Sequence, residues 1–241
     1  MRLPDELSLS SLEKKKIITI DGPAGAGKST VSKALAKKLG YIYLDTGALY
    51  RALAHKALKD KISLEDTSAL AKLCFNTTVS LKNIDGKMVV LVDGEDVGNK
   101  IRTEEVGLAA SKISAFTVVR KSLLNLQREA GLQGCIVAEG RDMGSIVFPH
   151  ADYKFYLDAN VEERIKRRYN ELLAKGAGVE YQAIQKDMMA RDYQDSKRKI
   201  APLTASADVI IIDSTGLSAE GVVEKIIQYI CAKRGGDRLY H

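Results

Sequence analysis

Short, uniformly apolar runs alternate with longer stretches of helical spacing along most of the chain. Residues 17–20 read Ile-Ile-Thr-Ile and end at Asp21-Gly22, which predicts a buried strand. Residues 28–39 place Val31, Leu35 and Leu39 on one face and are followed by Gly40, which predicts a helix closed by glycine. Residues 41–44 predict a second strand, and 47–60 and 64–75 two further helices. The same reading makes 136–138, 153–157 and 209–212 strands and 103–133 helical. It makes 161–175 and 181–195 long charged helices split by Gly176-Ala177-Gly178, and 218–233 a last helix. Strands apolar throughout, each followed by a helix, imply a parallel sheet covered on both faces.

Between residues 77 and 97 the texture changes. Val79, Leu81 and the run 89–92 are interrupted by Asp85-Gly86 and Asp93-Gly94, the turn chemistry of antiparallel hairpins. That contrast sets residues 63–102 apart as an inserted α+β subdomain. Residues 1–13 show no pattern that would join a core and are expected to form an arm.

Composition adds a few bounds. With 241 residues, 45% of them hydrophobic, the chain can bury a core without disulfide or metal staples. Cys74, Cys135 and Cys231 are odd in number and widely spaced, which speaks against a disulfide framework or zinc site and for a reducing compartment, the cytoplasm. No run has the length and apolarity of a signal peptide or a membrane span, so no membrane partner is expected. The net charge of +6 fits anionic partners, and equally a solvated basic surface.

The chemistry begins at Gly22-Pro23-Ala24-Gly25-Ala26-Gly27-Lys28-Ser29, followed by Thr30, which matches G-x-x-x-x-G-K-S/T at every fixed position. Glycines let backbone N–H groups converge on phosphate oxygens, and the helix behind adds its unpaired N–H groups. In that pattern Lys28 reaches the β- and γ-phosphates and the Ser29 hydroxyl ligates Mg²⁺. A strand before and a helix after supply the required context. Two other fragments carry less. Asp45-Thr46-Gly47 has no second copy to make an aspartic-protease pair, and Asp213-Ser214-Thr215-Gly216 lacks the N-K-x-D partner of GTPases.

Phosphoryl transfer needs positive charge around the transferred group. Arg51, Arg120, Arg141, Arg164, Arg167, Arg168, Arg191 and Arg198 supply it, with Arg164, Arg167 and Arg168 on one helix face. Glu139-Gly140-Arg141-Asp142 follows an apolar strand, where open parallel sheets bind ligands. Any one of these arginines, read alone, is equally a solvated or ion-paired helix residue.

The combination of the P-loop with Leu44-Asp45-Thr46-Gly47-Ala48-Leu49-Tyr50-Arg51, Ile101-Arg102-Thr103, Glu139-Gly140-Arg141-Asp142-Met143-Gly144, Phe148-Pro149 and Ala201-Pro202-Leu203 resembles the bacterial cytidylate kinases, within the nucleoside monophosphate kinase group. The resemblance implies a three-layer αβα P-loop core with a parallel five-stranded sheet, a helical lid and a monophosphate-binding subdomain carrying the insert. Residues 14–62, 103–160 and 196–241 would form the core and 161–195 the lid with its flanking helices. It implies transfer of the γ-phosphate of ATP to CMP or dCMP with Mg²⁺. By position, Gly22 to Thr30 would bind ATP. Thr46, Arg120, Asp142 and Arg198 would face cytosine; Ser111, Arg191 and Asp195 would meet the ribose; Arg51 and Arg141 would hold the acceptor phosphate. Lys28, Arg141, Arg164, Arg168 and Arg191 would serve the transfer itself. A monomer with no nucleic-acid partner is expected. Two other readings stand beside this one: another small-molecule P-loop kinase, and a nucleotide-gated switch or RNA-binding module. The acceptor is already anionic, so His55, His150 and His241 are given no catalytic role.

Overall fold

A computed structural model describes residues 16–84, 87–174, 176, 178–197 and 208–237. Arg198, the 201–203 segment, the Asp85-Gly86 turn and the arm 1–13 lie outside the described residues.

Five parallel strands form the centre: β1 (Ile17–Asp21), β2 (Ile42–Asp45), β6 (Ile136–Gly140), β7 (Tyr153–Asp158) and β8 (Ile210–Asp213). Their order is β2-β6-β1-β7-β8. β1 pairs with β6 on one side and β7 on the other, so it is buried from Ile18 onward, and apart from Thr19 its side chains are apolar up to Asp21. The chain leaves β1 for β2 across the later-arriving β6. The carboxyl end of β1 is therefore the point where strand order reverses, the crevice in which such sheets bind ligands.

Helices cover both faces. On one, α1 (Lys28–Leu39) and α8 (Ala219–Asp237) pack Val31, Leu35, Val222 and Ile226 on Ile18, Ile20, Val137 and Phe155. On the other, Leu44, Ile136 and Ala138 meet Met143, Val147 and Phe148, with Leu124 of α5 (Thr117–Gly131) against them. The next strand positions alternate between these two cores, as period-two geometry requires.

The segment expected to stand apart continues the same sheet. β3 (Val79–Ile84), β4 (Lys87–Val92) and β5 (Glu95–Asp96) pair antiparallel around β4, and β4 joins the β2 edge in parallel at Tyr43 and Lys87. The apolar faces of β3 and β4 share one core with α2 (Thr46–Lys59), α3 (Thr67–Asn76), α4 (Glu104–Ile113) and α5. The helices α6 (Val161–Ala174) and α7 (Tyr181–Lys197), expected to form the lid, keep a small core of their own, Ile165, Leu172, Ile184 and Met188, which reaches Ala24 of the P-loop.

Helix starts follow the expected chemistry. Asp45 Oδ1 accepts from Ala48 N, Asp66 Oδ1 from Ser68 N and Ala69 N, and Thr103 Oγ1 from Val106 N. The stretch 103–133 divides into α4 and α5, broken over residues 114–116. A further element had no sequence signal: a π-helical turn, Met143–Val147, directly after β6.

Candidate active site

The P-loop, Asp45, Arg141, Asp142 and Ser214 lie at the carboxyl ends of parallel strands, while Ser111, Arg120, Arg191 and Asp195 come in from α4, α5 and α7. β1 runs into the P-loop. β2 ends at Asp45, which caps α2. β6 delivers Glu139, Arg141 and Asp142. The β7 end leads to α6 and the β8 end to Ser214.

The P-loop, 22–30, is tied down through its carbonyls. Pro23 O accepts from Lys28 Nζ at 2.6 Å, Ala24 O from Arg164 Nη1 at 3.0 Å, and Ala26 O from Ser214 Oγ at 3.2 Å. Gly22, Gly25 and Gly27 have φ of 146, 75 and 88°. A Cβ on Gly22 would stand 2.0 Å from Leu157 O, so the loop lies directly on β7. Gly27 is the N-cap of α1 and offers no side chain to cap it. The first N–H groups of α1 thus have no side-chain acceptor, the arrangement that recruits an anion.

Lys28 is buried. Burial first, and the neighbouring Arg141 second, lower its ammonium from 10.5 to about 7, against the pull of Glu139, Asp195 and Asp21. A polyphosphate would restore its charge. Ser29 and Thr30 are exposed. The Ser29 hydroxyl lies close to Tyr43 and Glu139, and Tyr43 Oη donates to Glu139 Oε1. Burial pushes both Glu139 and Tyr43 up. A hydroxyl beside a carboxylate offers the hard oxygen donors Mg²⁺ prefers, and Mg²⁺ needs few from protein because phosphate and water complete its octahedron. Among the described residues no cluster of three or more His, Cys, Asp or Glu could hold a metal by itself.

Opposite the P-loop stands a set of arginines, each engaged by a carboxylate. Asp45 takes Arg51 Nη2 at 3.0 and 2.8 Å and Arg102 Nη1 at 2.8 Å. Burial works to raise Asp45, but these two guanidinium groups hold it below the ordinary range. Arg120 Nη2 donates to Asp142 Oδ2, and both side chains are almost wholly enclosed. Arg120 Nη1 donates to Ser114 O at 3.2 Å, so the break between α4 and α5 also holds this arginine. Arg120 lies over the Tyr50 ring at 5.6 Å. Arg141 Nε donates to Asp195 Oδ2 at 2.8 Å.

The arginines of α6 and α7 differ from one another. Arg164 is buried and bonds Ala159 O, Ala24 O and, at 2.5 Å, Asp192 Oδ2, which fastens α6 to α7 and to the P-loop. Arg167 turns to Glu163 and Ser214. Arg168 bonds Glu171 and Glu104, and Arg191 Nη2 reaches the other oxygen of Glu104 at 3.2 Å. Burial and Arg168 lower Arg191. The Nε atoms of Arg51 and Arg191, with Asp192 Oδ1, are buried and have no hydrogen-bond partner. Ser111 Oγ donates to Gln194 Oε1 at 3.2 Å, between α4 and α7. Thr46 is buried and its hydroxyl donates to Glu139 O at 2.6 Å, leaving only lone pairs for a ligand.

Sequence reasoning gave no role to Asp21, Tyr43, Glu104, Asp192 or Ser214. One signal was available: β1, β2, β7 and β8 each end in aspartate, at Asp21, Asp45, Asp158 and Asp213. The Asp213 segment, read as a plain loop, places Ser214 under the P-loop.

The family model described as cytidylate kinase matches residues 18–232. The cytidylate kinase of Pasteurella multocida is 46% identical over 91% of this chain and 96% of its own length. That of Caldicellulosiruptor bescii is 46% identical over 89% and 95%. Among solved structures, an uncharacterized protein from Eubacterium ventriosum superposes with a TM-score of 0.52 at 15% identity, covering 91% of this chain and 99% of that one, a likeness of fold. With the match running from β1 into α8, through the P-loop and the buried Arg120–Asp142 pair, this chain belongs to the cytidylate kinase family.

Proposed function

We propose that the protein transfers the γ-phosphate of ATP to CMP or dCMP, giving ADP and CDP or dCDP. The observation that carries the pyrimidine side is the Arg120–Asp142 pair, enclosed at the carboxyl end of β6 beside the P-loop. A carboxylate there accepts from the exocyclic amine of cytosine, and a guanidinium donates to the O2 and N3 acceptors. Uracil presents a carbonyl where cytosine has its amine, so Asp142 disfavours it.

On this reading Gly22, Pro23, Ala24, Gly25, Ala26, Gly27, Lys28, Ser29 and Thr30 hold the triphosphate. Ser29, with Glu139 behind it, would hold Mg²⁺, which when bound would neutralise charge on the triphosphate. Arg51 and Arg141 hold the acceptor phosphate. The free Nε of Arg51 supports this, because its Nη2 alone is spent on Asp45. Arg191 and Asp195 face the ribose with Ser111, and Thr46 and Arg198 join the base.

Transfer is in line and direct. The attacking oxygen is already anionic, so the chain's work is to orient the two nucleotides and neutralise the transferred group. Lys28, Arg141, Arg168 and Arg191 converge for that purpose. Arg164, bonded to the P-loop, aligns lid and loop. Lid closure excludes water and limits hydrolysis. The same reading takes the protein as a cytoplasmic monomer whose partners are ATP and the monophosphate; its three cysteines are free, as a reducing compartment would keep them.

The test is ADP release measured in parallel with CMP, dCMP, UMP and AMP. CMP and dCMP should be turned over far faster than UMP or AMP. Phosphorylation of AMP or of a non-nucleotide acceptor with CMP ignored overturns the assignment.

A further inference from the structure

An aspartate at a helix N-cap ordinarily turns its side chain back to accept from the first free N–H groups of that helix. Asp142 occupies this position at the head of the turn Met143–Val147 and makes no such bond. Its carboxylate accepts from Arg120 instead. The amides it leaves are nonetheless satisfied. Met143 N donates to Asp21 Oδ1 and Gly144 N to Asp21 Oδ2, each at 2.8 Å. Asp21 is the last residue of β1, held by Gly140 on one side and Tyr156 on the other.

We propose that Asp21 is a positioning residue that caps the turn in Asp142's place and thereby frees the Asp142 carboxylate to read the acceptor base. The proposal rests on the reading of Asp142 as the group that meets cytosine. Its logic is the accounting of buried polar groups. Two adjacent enclosed N–H groups demand acceptors, and leaving them unpaired is costly. If Asp21 did not supply both, the nearest carboxylate would be Asp142 itself, by rotation of its side chain. Arg120 would then lose its partner and the base its acceptor.

The surroundings hold the turn where this division of labour works. A Cβ on Gly140 would come within 2.7 Å of Met143 Cε and 2.8 Å of Thr46 Oγ1, and one on Gly144 within 3.0 Å of Thr19 Oγ1. The backbone is therefore packed against its neighbours on both sides of Asp142. Burial pushes the Asp21 carboxyl up to about 6, against the two amide bonds, so it stays largely ionised near neutrality with both oxygens able to accept. Asparagine would present one oxygen and set its amine against an N–H.

The experiment compares Asp21→Asn, Asp142→Asn and the double variant by kcat/KM with CMP and UMP and by the KM for ATP. Asp21→Asn should cut the preference for CMP over UMP by about tenfold or more, the scale of one lost base contact. The KM for ATP should stay within about twofold, well under the tenfold that 1.4 kcal/mol represents. In the Asp142→Asn background the second substitution should change that preference no further. Equal losses on CMP and UMP, or an undiminished effect in that background, overturn the positioning role. If Asp142→Asn by itself leaves the preference intact, the base-reading assignment fails, a result distinct from failure of the cap. Should Asp21→Asn not fold, hydrogen exchange on the unaltered protein decides. The Met143 and Gly144 amides should be protected like those of the β1–β6 ladder, and exchange at the rate of open loops removes the cap.

Discussion

The two halves of the site are built on different principles. The P-loop is nine consecutive residues whose ligand-facing groups are largely backbone N–H, positioned by three glycines and one strand-to-helix junction. The acceptor half draws Asp45, Arg102, Arg120 and Asp142 from four separate parts of the chain and Arg191 with Asp195 from α7, and its groups are side chains held by mutual ion pairs. One half is local and steric, the other distributed and electrostatic. A cradle of amides needs only the right φ values, whereas a ring of guanidinium groups in a partly enclosed space must have counter-charges or its own repulsion would open it. The carboxylates that pair with those arginines also fix their orientation. At Arg51 and Arg191 they leave the Nε atom without a partner.

Substitutions separate the two halves. Replacing Lys28 with Ala should have the largest effect, lowering kcat about a thousandfold through lost charge at the transferred phosphate, with an unchanged circular dichroism spectrum. A loss confined to KM would move Lys28 out of the transfer step. Gly22→Ala tests the steric half. With φ at 146° and a Cβ 2.0 Å from Leu157 O, it should cost about 3 kcal/mol of stability, read from denaturant midpoints. Gly40→Ala, equally left-handed at φ 67° but facing open space, should cost only about 1–2 kcal/mol.

Arg141→Lys probes the electrostatic half. An ammonium cannot hold Asp195 and a phosphate with one planar fork, so kcat/KM for CMP should fall about thirtyfold while the KM for ATP holds. A parallel rise in both KM values would mean the halves are not separable.

The smallest effect is a pH dependence. Burial lowers Lys28 to about 7. ATP binding should therefore take up a proton above pH 7 and weaken by up to about tenfold per unit, measured by calorimetry in buffers of different ionisation enthalpy. CMP binding should lack this slope. The linkage to folding has the opposite sense. Between about 7 and 10.5 the unfolded chain carries a proton on Lys28 that the native chain lacks, so this lysine's contribution to stability rises with pH across that window.

Legibility follows the same division. β1, α1 and the P-loop between them were read from their sequence to within a residue, because strand period, helix period and glycine spacing are local properties. The parallel sheet was legible from uniformly apolar strands. The π-helical turn at Met143 was not, because it depends on an acceptor at Asp21, far away in sequence. The docking of the 63–102 insert was not legible either, because its turn chemistry specifies a hairpin but not the edge it joins.

The arginines themselves were visible as candidates, and their roles were separable only in three dimensions. Arg164, Arg167 and Arg168 share a helix face, yet one clasps the P-loop and Asp192, one Ser214, and one Glu104. The sequence by itself determined the phosphate cradle, since an amide's direction is set by the φ and ψ of its own few residues. Only the tertiary structure decided which carboxylate each guanidinium meets, since charge pairing is settled by proximity across elements whose approach no local pattern encodes.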